Sequence, residues 1–301
     1  MQRLVICVAV AVCACSSHPP VLSSAVADAP RGTLQIVGGG PQPPELVQQF
    51  IDFAGGPGRA RILVFAMASG AGERSGEAKA QDLRQRGALA RNVWITREQA
   101  DTDSVVALVD SATGVWFGGG DQNRLARVLR GTRVEAAIRR RYHEGAVVAG
   151  TSAGAAVLSA VMITGSERRP GGARRDTTTD FITIDRDNIV VDTGFALLGS
   201  AIVDQHFVRR RRHNRLISLV LEGEPHLGVG VDESTALVVH ADGRWTVAGA
   251  SVVVIYDART AAITSRSSAV LGAANLRMHV LPAGSVFDPR SGRVTLPRVD
   301  R

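Results

Sequence analysis

Short apolar runs alternating with amphipathic helical stretches constrain this chain most. A strand buried on both faces and a helix with one apolar stripe fit together as a parallel sheet covered by helices. Residues 33–37, 61–66, 92–95, 115–117 and 146–148 read as strands. Between them, residues 44–53, 75–87, 98–110 and 121–143 read as helices, the first with Pro44 where a missing N–H costs a helix nothing. The expected fold is α/β, a three-layer parallel sheet with helices on both faces. Residues 165–179 are polar and rich in Gly, Arg and Thr, which predicts a flexible loop and not a domain boundary. From residue 229 the pattern turns β-rich, with strands at 235–240, 245–247 and 252–256, an Asp242-Gly243 turn, and an alternating stretch at 270–280. The organisation expected is a single domain over 28–301, with a β-rich C-terminal extension from about residue 257.

The first 27 residues read as an export signal. Arg3 precedes an apolar run over residues 4–14, far shorter than the roughly 18 residues a membrane span needs. Two processing routes are open: cleavage after Ala25-Val26-Ala27, starting the mature chain at Asp28, or lipidation of Cys15 in the box Val12-Cys13-Ala14-Cys15. The three cysteines, Cys7, Cys13 and Cys15, all lie in this segment. Cleavage after Ala27 therefore removes structural disulfides, zinc–thiolate sites and a cysteine nucleophile together. The expected location is outside the inner membrane, periplasmic or extracellular, with or without a lipid anchor, and no later segment is apolar enough to span a bilayer.

Charge adds little to this. The formal net charge is +7, and Lys79 is the single lysine, so 34 of the 35 basic residues are arginine. Only 4% of residues are aromatic and most arginines are scattered, which argues for a coding preference over a nucleic-acid face. No histidine pair at i, i+4 and no thiolate cluster is present to hold zinc, so neither a metal nor a cofactor is expected.

Chemistry concentrates at Gly150-Thr151-Ser152-Ala153-Gly154, after the strand ending near Ala149 and before an apolar helix read over 155–161. This G-x-S-x-G context is that of a nucleophile elbow, in which small neighbours permit a strained turn that presents a serine hydroxyl. A phosphate site or plain tight packing uses glycines the same way. A serine nucleophile needs a base, and the chain beyond residue 27 offers His143, His206, His213, His226, His240 and His279. His206 follows the apolar run Ala201-Ile202-Val203, which puts it at a strand end, where open parallel sheets border their ligand crevice. An orienting carboxylate is also needed, and the strand 228–231 ends in Asp232 and Glu233. Spacing does not separate these two acids.

Gly118-Gly119-Gly120-Asp121-Gln122 and Gly150-Thr151-Ser152-Ala153-Gly154-Ala155 are two of four ordered motifs. The others are Asp204-Gln205-His206-Phe207, followed by Arg210, Arg212 and Arg215, and Gly230-Val231-Asp232-Glu233-Ser234-Thr235-Ala236. Together they resemble the cyanophycinase-like serine peptidases, peptidase family S51, related to the aspartyl dipeptidases. The resemblance covers roughly residues 34–256 and implies a flavodoxin-like, class I glutamine-amidotransferase-type fold. It also implies Ser152 as nucleophile, His206 as base and Glu233 as triad acid. Ala153 and Gly120 are the backbone donors expected to meet an oxyanion, glycine being favoured because no side chain obstructs approach. Gln122, Asp204, Gln205, Arg210, Arg212 and Arg215 match the family's substrate-site positions, and an arginine fork holds a carboxylate in two parallel hydrogen bonds. Arg210, Arg212 and Arg215 are read at helical spacings after His206.

The activity implied is a secreted serine peptidase hydrolysing β-aspartyl-arginine linkages of cyanophycin to dipeptides through an acyl-enzyme. The alternatives kept beside it are a secreted aspartyl or isoaspartyl dipeptidase, a non-catalytic binding protein on the same fold, and a nucleotide-binding enzyme using the glycines at 38–40 and 118–120. The last lacks G-x-G-x-x-G spacing and a Walker lysine. Expected partners are a peptide or cyanophycin substrate and no nucleic acid, with a homodimer left open.

Overall fold

The computed structural model describes residues 29–168, 174–176 and 181–298. The segment read as an export signal, both of its expected processing sites and parts of the expected 165–179 loop lie outside the described residues.

The first half of the chain is β1 (Leu34–Val37), α1 (Pro44–Phe53), β2 (Arg61–Phe65), α2 (Gly72–Gln85), β3 (Leu89–Asn92), α3 (Asp103–Ser111), β4 (Gly114–Phe117), α4 (Gln122–Leu129), α5 (Arg133–Glu144) and β5 (Val147–Thr151). Then come α6 (Ala153–Ala156), β6 (Val161–Arg168), β7 (Arg174–Asp176), β8 (Ile189–Thr193), β9 (Ile202–Gln205), α7 (His213–Glu222) and β10 (Leu227–Val231). The chain finishes with β11 (Thr235–Val239), β12 (Trp245–Gly249), β13 (Val252–Asp257), β14 (Ala262–Ile263), β15 (Ala273–Ala274), β16 (Arg277–Pro282), β17 (Val286–Asp288) and β18 (Arg293–Thr295).

The core sheet runs β18-β17-β12-β11-β1-β5-β4-β2-β3. Its strands from β1 to β3 are parallel, and the four beyond β1 on the other side are antiparallel. Successive side chains of a strand point to opposite faces, and burial of both faces explains why the central strands β2 and β4 are almost wholly apolar. Ile62, Val64, Trp116, Val147 and Ala149 pack with Leu46, Phe50 and Leu83 of α1 and α2. Their neighbours Leu63, Phe65, Val115, Phe117 and Val148 pack with Leu125, Val134 and Ile138 of α4 and α5. Both faces are dry, as expected for a parallel sheet covered by helices.

A single sheet does not account for the rest. β9, which carries the motif around His206, belongs to a second sheet, ordered β16-β13-β10-β9-β6-β7 with β8 paired to β6. Val203, Val229, Val231, Val253 and Ile255 turn toward the same core as Leu34, Ile36 and Leu237. On the opposite face of this sheet, Ile202, Val254 and Tyr256 pack with Leu216 and Val220 of α7. The segment beyond 257 is divided between the sheets, β16 extending the second and β17 and β18 the first.

Several expected boundaries are corrected. The strand read at 92–95 is β3, three residues earlier, where Leu89 to Asn92 pair with β2. The helix read over 121–143 is two helices. Gly131 takes a positive φ of 75° between them, and Thr132 caps α5 by accepting from the Glu135 N–H, while Glu135 Oε2 accepts from Gly131 N at 2.6 Å. The stretch 98–110 is a 3₁₀ turn at Gln99–Asp101 followed by α3. The helix read at 155–161 is only the four residues of α6, because Val161 onward pairs with β8 and β9. Within 165–179, β6 extends to Arg168 and pairs with β7, so strand pairing replaces the loop there.

Candidate active site

Ser152 sits between β5 and α6 with φ 54°, the left-handed region that non-glycine residues avoid. The turn is held by its neighbours. A Cβ on Gly150 would lie 2.1 Å from the Gly154 carbonyl oxygen, and one on Gly154 would lie 2.2 Å from that of Phe117. The Ser152 N–H donates to Val37 O at 3.0 Å, tying the elbow to the end of β1. The two motif glycines are therefore required by close backbone approach.

The base comes from the other sheet. Ser152 Oγ is 2.8 Å from His206 Nε2, and His206 Nδ1 is 2.6 Å from Glu233 Oε1. With the Nδ1–H donated to the carboxylate, Nε2 is left to accept the serine proton. The carboxylate paired with the ring is that of Glu233, whereas Asp232 is engaged elsewhere: its Oδ1 accepts from Arg209 N and its Oδ2 from Ser251 Oγ. Burial pushes the His206 imidazole below its usual range. The Glu233 hydrogen bond opposes this, and the charges of Arg210 and Arg212 reinforce it. The ring is thus a neutral base at neutral pH.

The glycines at 38–40 belong to this triad. Gly38 O accepts from the His206 N–H at 2.7 Å, and Gly39 O accepts from Ser234 N at 2.8 Å. A Cβ on Gly39 would lie 2.2 Å from His206 Cε1, and one on Gly40 would lie 3.1 Å from Glu233 Oε2. The sequence offered the glycine run as a nucleotide loop; here it makes room for the base and its carboxylate. No periodicity could reveal this, because the loop meets His206 only across the two sheets.

Backbone donors converge on the nucleophile. Ala153 opens α6, where the first N–H groups of a helix have no intrahelical partner. In the glycine loop, Gly118 N donates to Phe65 O and Asp121 N to Ala68 O, leaving Gly119 and Gly120 as its candidates. Gly120 lines the cavity beside Ser152, and a Cβ on Gly119 would lie 3.4 Å from the Ser152 Cβ. Gly119 is therefore a further candidate donor, beside the Gly120 that the sequence reading favoured.

A cavity of about 320 Å³ opens from Ser152, lined by Gly120, Asp121, Gln122, Asn123, Thr164, Gly165, Ser166, Gln205, Arg210, Arg212 and Arg215. The three arginines do not lie at helical spacings. Arg210 and Arg212 are on a turn with Arg211 at φ 50°, and Arg215 is in the first turn of α7. Asp204 lies beneath the cavity instead of lining it. Its Oδ2 accepts from Arg215 Nε at 2.6 Å and its Oδ1 from Arg215 Nη2, a bidentate pair with side chains 0% and 1% exposed. Arg215 Nη1 is buried with no hydrogen-bond partner among the described residues. Arg212 Nη1 donates to Gln205 O at 2.7 Å and to Gln205 Oε1, and Gln122 Nε2 donates to Ile163 O at 2.8 Å. Burial and the charge of Arg215 push the Arg212 guanidinium down to about 9, still cationic at neutral pH. Asn123, Thr164 and Ser166 were missed by the sequence reading, Ser166 because β6 brings in a segment read there as a loop. A larger hollow of about 660 Å³ beside Trp94 and α2 contains neither a serine nucleophile nor a histidine among its described lining.

Comparison with known proteins supplies the family and the fold. The model of Peptidase family S51 matches residues 35–246. The chain is 39% identical over 210 residues to a cyanophycinase of Nostoc sp. strain PCC 7120, a match covering 68% of this chain and 66% of that protein, just under two thirds of its length. It is 30% identical over 273 residues to a cyanophycinase of Geminocystis herdmanii strain PCC 6308, covering 87% of this chain and 95% of that one. Among solved structures, a peptidase from an acI-B1 Actinobacterium shares the fold with a TM-score of 0.60 at 24% identity, over 87% of this chain and 98% of the other.

Proposed function

Because this chain belongs to peptidase family S51, we propose that it is an exported serine peptidase that degrades cyanophycin, an aspartate polymer bearing arginine, to β-aspartyl-arginine dipeptides. The observation that carries the reading is the Ser152–His206–Glu233 chain of hydrogen bonds opening onto an arginine-lined cavity.

In this mechanism Ser152 Oγ attacks the scissile carbonyl while His206 Nε2 takes its proton. The oxyanion is met by the Ala153 N–H and by Gly120 or Gly119. The C–N bond breaks as His206 returns the proton to the leaving nitrogen, and the acyl group remains on Ser152. Water then attacks the ester with His206 again as base, releasing the acid and restoring the serine. Release of an intact β-Asp-Arg dipeptide requires scission of the aspartyl backbone amide, with the side-chain isopeptide bond preserved. The arginine of each unit, joined through its α-amine, keeps a free carboxylate. That carboxylate is a fitting partner for the cationic cavity, while Asp121, Gln122 and Asn123 supply acceptors for its guanidinium.

A substrate panel tests this. Cyanophycin and soluble β-Asp-Arg oligomers are expected to release dipeptide far faster than α-linked aspartyl peptides release product. Equal rates throughout, or rapid cleavage of small aspartyl peptides with none of the polymer, would replace the assignment with an aspartyl dipeptidase.

Export is part of the same proposal, and its support is the Arg3 and 4–14 pattern. Among the described residues no helix is long and apolar enough to cross a membrane. Mass spectrometry of the protein from its native host is expected to show a chain beginning at Asp28 or at an acylated Cys15. Recovery of intact Met1 protein from the cytoplasm would refute export.

A further inference from the structure

The only lysine of the chain lines a cavity that Thr151, the residue before Ser152, also lines. Lys79 projects from α2 into a second, smaller cavity of about 180 Å³, whose lining includes Gln42, Ser69, Trp116, Gly119 and Thr151. The two cavities flank one point. Gly120 and Ser152 line the larger, and the residues before each of them, Gly119 and Thr151, line the smaller. An amide bound at Ser152 therefore has one cavity available to each of its halves.

His206 indicates which half goes where. It returns the proton to the leaving nitrogen, and its ring lies against Gly39. The loop after Gly39 delivers Gln42 into the smaller cavity, where Gln42 Oε1 accepts from Lys79 Nζ at 2.9 Å. Gln42 Nε2 in turn reaches Thr151 Oγ1 at 3.5 Å. The acyl half stays bonded to Ser152 and suits the larger cavity, which that serine lines. The leaving half is directed to the smaller one.

Its chemistry is that of a carboxylate site. The Lys79 side chain is 14% exposed, and its ammonium lies 4.4 Å from the centre of the Trp116 ring. Its ion-pair partner Asp82 is 3.2 Å away but is not part of the described lining. A compact ammonium walled by an indole, with Ser69 and Thr151 hydroxyls nearby, attracts a carboxylate and repels a guanidinium. The chain uses arginine at every other basic position, yet here it places a point charge on a slender stem.

We propose that this cavity is the leaving-group subsite, where Lys79 binds the free backbone carboxylate at the end of the chain being shortened. The inference rests on the peptidase reading above and names a residue for the leaving side of it, the arginyl arm of the leaving unit remaining outside the pocket.

The test compares a dimer of β-Asp-Arg with the same compound carrying a carboxamide at its terminal backbone carboxylate. The unsubstituted enzyme is expected to favour the acid at least tenfold in kcat/KM. Lys79→Met is expected to bring that ratio close to one, chiefly through the KM of the acid, and Lys79→Arg to restore a severalfold preference. Because the two substrates are first compared on the unsubstituted protein, misfolding of a variant does not blunt the test. Equal rates on the two substrates, or a Lys79→Met variant that loses both in proportion, overturn the subsite and leave the peptidase reading standing. Absence of any cleavage overturns the subsite together with the aspartyl-peptide reading, and labelling of Ser152 by a small fluorophosphonate then reports whether serine-hydrolase chemistry survives.

Discussion

Replacing Ser152 or His206 by alanine is expected to lower turnover by roughly a thousandfold or more while the chain stays folded, because triad members act as a unit. The double variant is expected to be hardly worse than either single one. Glu233→Gln is expected to cost less, since it leaves nucleophile and base in place and alters the tautomer and charge behind them. Kinetics on a soluble aspartyl peptide, with circular dichroism to check folding, measure this. A Ser152→Ala enzyme at wild-type rate would end the serine-peptidase mechanism. The pH profile belongs to the same experiment. Burial lowers the His206 pKa below 6.5, so the neutral base persists to more acidic pH and activity is lost only as pH falls through that lowered value. Arg210→Gln removes a nearby positive charge and makes the imidazolium easier to form. The acid limb is therefore expected to move to higher pH, whereas an opposite movement would show that Arg210 does not act on the base.

Asp204→Ala is the substitution expected to cost most in stability. Asp204 and Arg215 are both fully buried, and Arg212 lies 3.7 Å from the same carboxylate. Removing the acid leaves guanidinium charge uncompensated in a dry site, at a cost of about 3–5 kcal/mol. In a domain of this size that corresponds to a fall in Tm of roughly 10 °C. Asp110→Asn breaks the half-exposed pair with Arg140 and is expected to cost less than about 1 kcal/mol, providing the control. Thermal unfolding of the two variants side by side decides the matter. Equal small effects would mean that Arg215 finds another partner, and the pair would lose its place as the anchor of the cavity floor. The expected loss also explains why the motif needs Asp204 even though that residue does not face the cavity: it fixes Arg215 and, through it, the wall that a substrate meets.

Much of the molecule was legible before any coordinates. The elbow is a local device, because Gly150 and Gly154 are spaced so that strand, serine and helix meet in a turn no larger residues permit. Parallel strands buried on both faces show as mostly apolar runs, and β1, β2 and β4 lie within one residue of where those runs predict them. Glu233 was separable from Asp232 only by resemblance to a family, since two adjacent acids after a strand carry the same local signal. Tertiary structure separates them physically, giving one to His206 and the other to Arg209 and Ser251.

The sequence by itself determined the α/β class and the strand–serine–helix turn at Ser152, because each shows in residues within one turn or one strand of each other. Only the tertiary structure decided that His206 comes from a second sheet, that the glycines at 38–40 make room for it, and that Arg215 is locked to Asp204 while Arg210 faces the cavity. It likewise turned an apparent loop at 165–168 into the end of β6, and brought Lys79 into one cavity with Thr151, 72 positions away in the chain. The physical reason is common to all of these. Local sequence governs backbone propensity and burial pattern, whereas which side chains share a site follows from how two sheets pack, through contacts between segments far apart in the chain.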